Sequence, residues 1–289
     1  MRAAFLGLGV MGAPMAGHLA ARGIDLVVYN RTAAKADALL RDHKARAAAA
    51  PAEAAAGADI VIACLGDDPD VDAVMGAVLP VVKAGALVID HSTASPDLAR
   101  RLASAFSEKG ASFIDAPVSG GEAGAKAGKL SVMCGGEAEA VERARPVLEA
   151  YSARIVHVGP SGHGQLAKAV NQICIAGVLQ GLAEGVHFAQ AAGLDIDRVI
   201  DAVSGGAARS WQMENRAKTM AEGSFDFGFA VDWMRKDLRI ALAEARRTGA
   251  QLPAAALVDQ FYAEIQAMGG GRQDTSSLIR RLKRPETRD

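Results

Sequence analysis

Short apolar runs and helical stretches alternate along the first half of the chain. Ala3 to Leu6 and the run ending in Val27-Val28-Tyr29 bracket a segment in which Met11, Met15, His18 and Leu19 recur three to four residues apart, predicting strand, helix, strand. Asp59 to Leu65, Ala86 to Asp90 and Ser112 to Ile114 repeat the apolar run, each after an Ala-rich helical segment. Leu130 to Cys134 and Arg154 to Val158 then flank a predicted helix from Ala138 to Tyr151. This alternation predicts an α/β class with a parallel, doubly wound sheet. From about Gly164 the pattern changes. Gln165 to Ala192 carries no proline, predicting one helix roughly 40 Å long at about 1.5 Å per residue, and no strand follows it. The expected organisation is a sheet domain over 1–163 and an all-helical domain over 164–289, joined by that long interdomain helix.

Between the first predicted strand and helix, Gly7, Gly9 and Gly12 stand in GxGxxG spacing within Gly7-Leu8-Gly9-Val10-Met11-Gly12. In this context the motif predicts a dinucleotide-binding βαβ unit of the Rossmann type. Gly7 makes the tight turn, Gly9 lets a pyrophosphate approach the backbone, and Gly12 lets helix and strand pack closely. The second strand ends in Asn30-Arg31-Thr32 rather than in an acidic residue. A carboxylate there would bind a ribose 2′-hydroxyl, whereas a guanidinium suits a 2′-phosphate, so NADP(H) is expected in preference to NAD(H). The other reading is that Arg31 merely opens the next helix from the surface. Three glycines and Pro14 interrupt the N-terminal apolar run, which speaks against a secretory signal and for a cytoplasmic protein.

Composition narrows the classes of partner. The 289 residues are 50% hydrophobic, enough for two cored domains, and the net charge of −1 offers no general attraction to nucleic acid or to a membrane surface. Arg280, Arg281, Lys283 and Arg284 form the one basic cluster, read as the solvated end of a last helix. Cys64, Cys134 and Cys174 are too few and too scattered for a disulfide framework or a metal site, and are read as small core residues; no metal is expected. The long helix carries Lys168, Asn171, Gln172, Glu184 and His187 along its length, which argues against a membrane span. Gly177, Gly181 and Gly185 at four-residue spacing predict close helix packing instead.

Two segments carry candidate chemistry. Lys168 and Asn171 lie three apart on the long helix and project from one face. A lysine buried beside a cofactor can serve as a general acid or base, with an amide beside it to hold a substrate hydroxyl; taken alone, such a lysine more often sits in solvent. Asp115-Ala116-Pro117-Val118-Ser119-Gly120-Gly121 follows a strand and ends in a turn whose amides and hydroxyl suit a carboxylate, or which simply closes a sheet edge.

With GLGVMGAPMAGHL at the N-terminus, DHSTASP from Asp90, DAPVSGG from Asp115, GQLAKAVNQ from Gly164 and RKDL from Arg235, nearly the whole chain resembles the β-hydroxyacid dehydrogenase family. That family includes 3-hydroxyisobutyrate dehydrogenase, tartronate semialdehyde reductase, and glyoxylate or succinic semialdehyde reductases. The resemblance implies Lys168 as catalytic acid/base and Asn171 as the amide that positions the reacting oxygen. It implies Ser119, Gly120 and Gly121 at the substrate carboxylate, and Thr93, Lys236 and Leu65 near the nicotinamide. The implied reaction is reduction of a small acid-aldehyde: tartronate, succinic or methylmalonate semialdehyde, or glyoxylate. Substrate choice is expected from Glu122 to Lys126 and from Ser204 to Met213, where Trp211 offers a flat wall to the substrate and Arg209 either a second carboxylate contact or an exposed helix start. Phe225, Phe227, Phe229 and Trp233 are read as packing around Lys236. A homodimer or homotetramer is expected. The alternatives are an imine reductase, against which Lys168 argues, and a non-catalytic NADP-sensing or partner-binding protein, in which that lysine would be lost.

Overall fold

The structure, a computed structural model, describes residues 1–282. The chain divides into two compact units, Met1–Lys168 and a second beginning at Ala169. In the first, β1 (Arg2–Leu6), α1 (Gly12–Ala21), β2 (Asp25–Tyr29), α2 (Ala33–Asp42), β3 (Arg46–Ala47), α3 (Pro51–Ala55), β4 (Ile60–Ala63), α4 (Asp68–Val78), β5 (Leu87–Asp90), α5 (Pro96–Glu108) and β6 (Ser112–Asp115) alternate as the pattern predicts. These six strands are parallel, in the order β3-β2-β1-β4-β5-β6. The remaining elements are β7 (Val118–Ser119), α6 (Gly121–Lys126), β8 (Leu130–Gly135), α7 (Ala138–Leu148) and β9 (Ser152–Gly159). Here the sheet departs from the expected parallel arrangement. β8 runs antiparallel to β6 and β7, and β9 runs parallel to β8.

The strands read as continuous apolar runs because both faces are covered. Ala3, Phe5, Leu26, Val28, Ile62 and Ile89 point to one side, against Met15 and Leu19 of α1 and Val141 and Leu148 of α7. Ala4, Leu6, Val27, Val61 and Val88 point to the other, against Met75 of α4 and Leu102 and Phe106 of α5. With both sides of the sheet closed, the edge formed by the strand C-terminal ends is left for a ligand.

α8 (His163–Ala191) begins in the first unit and continues into the second, which holds α9 (Ile196–Ser204), α10 (Trp211–Glu222), α11 (Val231–Thr248), α12 (Pro253–Ala267) and a 3₁₀ helix, Thr275–Leu282. Among the described residues this unit has no strand, only an isolated bridge between Ala230 and Asp274. Ala176, Leu179, Ala183 and Val186 of α8 form its core with Met220, Met234, Leu238, Tyr262 and Ile265. α8 has the length and composition of a membrane span, yet these residues face protein.

Three sequence readings are corrected. Cys174 is exposed, Cys64 is half-buried, and Cys134 alone is a core residue. Among the described residues, no atom lies within 4 Å of where a Cβ on Gly177, Gly181 or Gly185 would stand; the three lie on the side of α8 that also exposes Val170 and Phe188. Arg280 and Arg281 are not a solvated end: Arg280 donates to Gln273 Oε1 at 2.6 Å, and Arg281 pairs with Glu264 at 2.9 Å over the ring of Phe261. Lys283 and Arg284 lie outside the described residues.

Candidate active site

The glycine loop has the form a dinucleotide requires. Gly7 has φ +100°, and a Cβ there would stand 2.3 Å from the Cys64 carbonyl oxygen; one on Gly12 would stand 1.9 Å from the carbonyl oxygen of Gly7. Strand, turn and helix are therefore as close as backbones can come. A Cβ on Gly9, by contrast, would meet nothing within 4 Å, leaving backbone open to a phosphate. Met11 caps α1 with no side-chain hydrogen bond, and no acid occupies the first turn, so the helix presents its positive end unneutralised. These residues fit a dinucleotide. Asn30 supports the loop rather than extending away from it: its Oδ1 accepts from Leu8 N at 2.9 Å and its Nδ2 donates to the Thr32 carbonyl at 3.0 Å. Arg31 is 86% exposed and forms an ion pair with Asp70 at 3.1 Å. An exposed pair of this kind is worth roughly 0–1 kcal/mol, so a phosphate can displace it.

The strand ends carry the next predicted residues. Leu65 follows β4, and its amide donates to Ser92 Oγ at 2.8 Å. Thr93 sits in the loop after β5, whose Ser92 amide is held by Asp90 Oδ1 at 2.9 Å. Ser119 ends β7, opposite Ser131, and Gly120 (φ +130°) and Gly121 (φ +62°) turn the chain into α6 with both glycines exposed.

Beneath this loop lies a buried pair that the sequence did not signal. His91 Nδ1 is 2.6 Å from the Ala116 carbonyl and Nε2 is 2.8 Å from the Tyr151 hydroxyl. A carbonyl only accepts, so Nδ1 carries the proton and Tyr151 donates to Nε2. Burial pushes the imidazole pKa down to about 4 against the pull of the Ala116 carbonyl, and pushes the Tyr151 phenol well above its ordinary value. The folded pKa lies below the unfolded one, so the unfolded state binds the extra proton first. Stability is full above pH about 6.5 and falls by about 3 kcal/mol as pH drops to about 4. Urea midpoints measured across that range should fall more steeply for the wild type than for His91→Asn. Buried Asp115, whose carboxyl is raised by desolvation, contributes with opposite sign but equally to both proteins. Parallel curves would show that His91 is not the titrating group.

Lys168 is 8% exposed, which removes the reading of a solvated surface lysine. In the second unit, two predicted residues are joined through two that sequence reasoning left without a role. Asn171 Nδ2 donates to Gln172 Oε1 at 2.7 Å, Gln172 Nε2 donates to Asp237 Oδ2 at 2.6 Å, and Lys236 Nζ lies 2.9 Å from Asp237 Oδ1. Gln172 and Asp237 stand inside the GQLAKAVNQ and RKDL segments, and adjacency to Asn171 and Lys236 was the available signal.

Other expectations are redistributed. Ser210 Oγ accepts from Met213 N at 3.0 Å and so caps α10. Arg209 is an exposed partner of Glu214 at 2.6 Å. Trp211 is 52% exposed, and the Arg216 guanidinium lies 4.9 Å from its ring centre and 4.8 Å from that of Phe227. Of the aromatics expected around Lys236, Trp233 is one, with the ammonium 5.8 Å from its ring centre, while Phe227 belongs to Arg216.

Residues 2–159 match the NAD binding domain of 6-phosphogluconate dehydrogenase, and residues 162–282 match the NAD-binding domain of NADP-dependent 3-hydroxyisobutyrate dehydrogenase. An uncharacterized oxidoreductase of Shewanella frigidimarina is 56% identical over 98% of both chains. The chain belongs to the β-hydroxyacid dehydrogenase family. It is 36% identical to 2-hydroxy-3-oxopropionate reductase of Escherichia coli, over 98% of this chain and 97% of that protein. The 3-hydroxyisobutyrate dehydrogenase of Mycobacterium tuberculosis, solved with L-serine, superposes with a TM-score of 0.89 at 32% identity, covering 98% of this chain and 100% of that one. The chain is thus an oxidoreductase with the family's NAD(P)-binding domains and its α/β-then-helical fold.

Proposed function

We propose that this oxidoreductase interconverts a small β-hydroxy acid and its acid-aldehyde, with NADP(H) preferred over NAD(H). The carrying observation is Lys168: a lysine 8% exposed in the first turns of α8, inside the family's GQLAKAVNQ segment, serves little purpose in a sensor. The dinucleotide would be held by Gly7, Leu8, Gly9, Val10, Met11 and Gly12, by Asn30, Arg31 and Thr32, and by Leu65, Thr93 and Lys236; when bound, its nicotinamide supplies or accepts the hydride. Lys168 gives a proton to the aldehyde oxygen in reduction and takes it back in oxidation. Asn171 orients that oxygen, and the network from Asn171 to Lys236 fixes the amide's rotamer. Ser119 with the amides of Gly120 and Gly121 holds the carboxylate, which decides which carbon faces the hydride, and Trp211 walls the substrate.

Tartronate, succinic and methylmalonate semialdehydes and glyoxylate are the proposed substrate range, and a homodimer or homotetramer in the cytoplasm is the proposed state. The exposed apolar side of α8 offers a surface for a second copy.

The test follows reduced nicotinamide absorbance with NADPH or NADH against those four aldehydes. NADPH consumption with one of them is expected. Arg31→Ala should weaken NADPH binding about tenfold, the worth of a charge-assisted bond, and leave NADH nearly unchanged. Equal losses with both cofactors would remove Arg31 from the 2′-phosphate, and silence across the panel with tight NADPH binding would favour a sensing role.

A further inference from the structure

One side chain holds the loop after β5, and through it touches the ends of two neighbouring strands. Gln165, in the first turn of α8, is 1% exposed, and its amide clamps the loop after β5 from both sides of Thr93: Nε2 donates to the Ser92 carbonyl at 2.8 Å, and Ala94 N donates to Oε1 at 3.1 Å. Ser92 in turn receives the Leu65 amide on its hydroxyl at 2.8 Å. The backbone of Gln165 is fixed independently, because its amide donates to Asp115 Oδ2 at 2.9 Å while Gly162 N donates to Oδ1 at 2.7 Å. Asp115, at the end of β6, therefore holds the start of α8 from outside the helix. The fit is tight: a Cβ on Gly164 would stand 2.5 Å from the carbonyl oxygens of both Asp115 and Met133, so this turn lies directly on the backbones of β6 and β8. Lys168 stands three residues further along the same helix.

We infer that Gln165 is a positioning residue: its side-chain amide locks the Thr93 loop to the helical turn that leads to Lys168, so that the cofactor-side loop and the proton donor are set by one joint. The inference rests on the roles proposed above for Thr93 and Lys168, and adds a residue to which neither the sequence motifs nor those roles gave a task. A loop with free backbone could adjust to the nicotinamide on its own. Here it cannot, since turning Thr93 would break two buried bonds to an amide that cannot follow.

The joint predicts a chemical signature. Gln165→Met keeps the volume but leaves the Ser92 carbonyl and the Ala94 amide without their partner. Gln165→Glu keeps the acceptor for Ala94 N and, when protonated, restores the donor to Ser92; ionised, it sets a carboxylate against a carbonyl. Fluorescence titration with NADPH and with NADH should show Gln165→Met binding about tenfold more weakly than wild type at every pH, the worth of two buried hydrogen bonds. Gln165→Glu should match Gln165→Met at pH 9 and approach the wild type towards pH 6. Binding by Gln165→Met within twofold of wild type would overturn the inference, as would an equal, pH-independent loss in both variants, which would mark a purely packing role. Failure of the underlying assignment looks different. Lys168→Ala should bind cofactor like the wild type, and if it also turned over acid-aldehydes like the wild type, the proton donor would be wrong while the Gln165 series still judged the clamp on Thr93.

Discussion

Lys168→Ala should lower kcat by about 10²- to 10⁴-fold, the range removed with a general acid, with NADPH affinity nearly unchanged. Two companion variants separate proton transfer from charge. Lys168→Met keeps the aliphatic stem and should lose as much. Lys168→Arg keeps the positive charge, but a guanidinium does not release its proton near neutral pH. If the lysine works by giving a proton, the arginine variant falls with the others; if it only steadies a negative oxygen, the arginine variant retains much of the rate. Near wild-type turnover by the alanine variant would refute the assignment. Steady-state kinetics with a saturating acid-aldehyde, paired with a cofactor titration, reads all three.

For stability, the largest single loss is expected at Asp274. Its side chain is 1% exposed and accepts from Arg216 Nε at 3.0 Å, from Phe229 N at 2.9 Å and from Ser276 N at 3.0 Å, tying α10, the segment before α11 and the 3₁₀ helix to one carboxylate. Asp274→Ala leaves the mostly buried Arg216 and two amides without that partner and should cost about 3–5 kcal/mol, the range for breaking one side of a buried pair. Asp274→Asn keeps an oxygen for the amides and should cost less. Urea unfolding of the second unit measures both. A loss below about 1 kcal/mol for the alanine variant would show that the pair is of the exposed, weakly coupled kind. Because Arg216 also stacks on Trp211, a destabilised Asp274 variant should let that indole move, visible in its fluorescence.

Much of the first unit was legible because parallel strands buried on both faces must be apolar without interruption, as Ile60 to Ala63 and Leu87 to Ile89 are. Strand direction was not legible. Nothing in Leu130 to Gly135 distinguishes a strand running with its neighbour from one running against it, since direction is settled by the connection around β7 and α6. β3 and α3 were hidden in the Ala-rich stretch, where two exposed strand residues and a single short helical turn leave no period to read. The motifs singled out Gly7, Thr93, Ser119, Lys168 and Lys236 along the chain, whereas the cap that Ser210 makes on α10 was not legible, because a hydroxyl before a helix looks the same in sequence whether or not it caps that helix. Asp115 and Gln165 act through partners distant in sequence, which no local spacing encodes, and although Gln172 and Asp237 adjoin Asn171 and Lys236, the bond that joins the two pairs spans 65 residues.

Asn30 and Arg31 are neighbours under opposite constraints. Asn30 braces the backbone of Leu8, so any replacement disturbs the loop that would grip the phosphates common to both dinucleotides. Arg31 reaches into solvent and, among the described residues, is held by its pair with Asp70. If Arg31 takes the 2′-phosphate as proposed, exchanging it while Asn30 stays fixed would change the preferred dinucleotide without disturbing the loop, so that redox partnership could drift while the fold that carries it is kept.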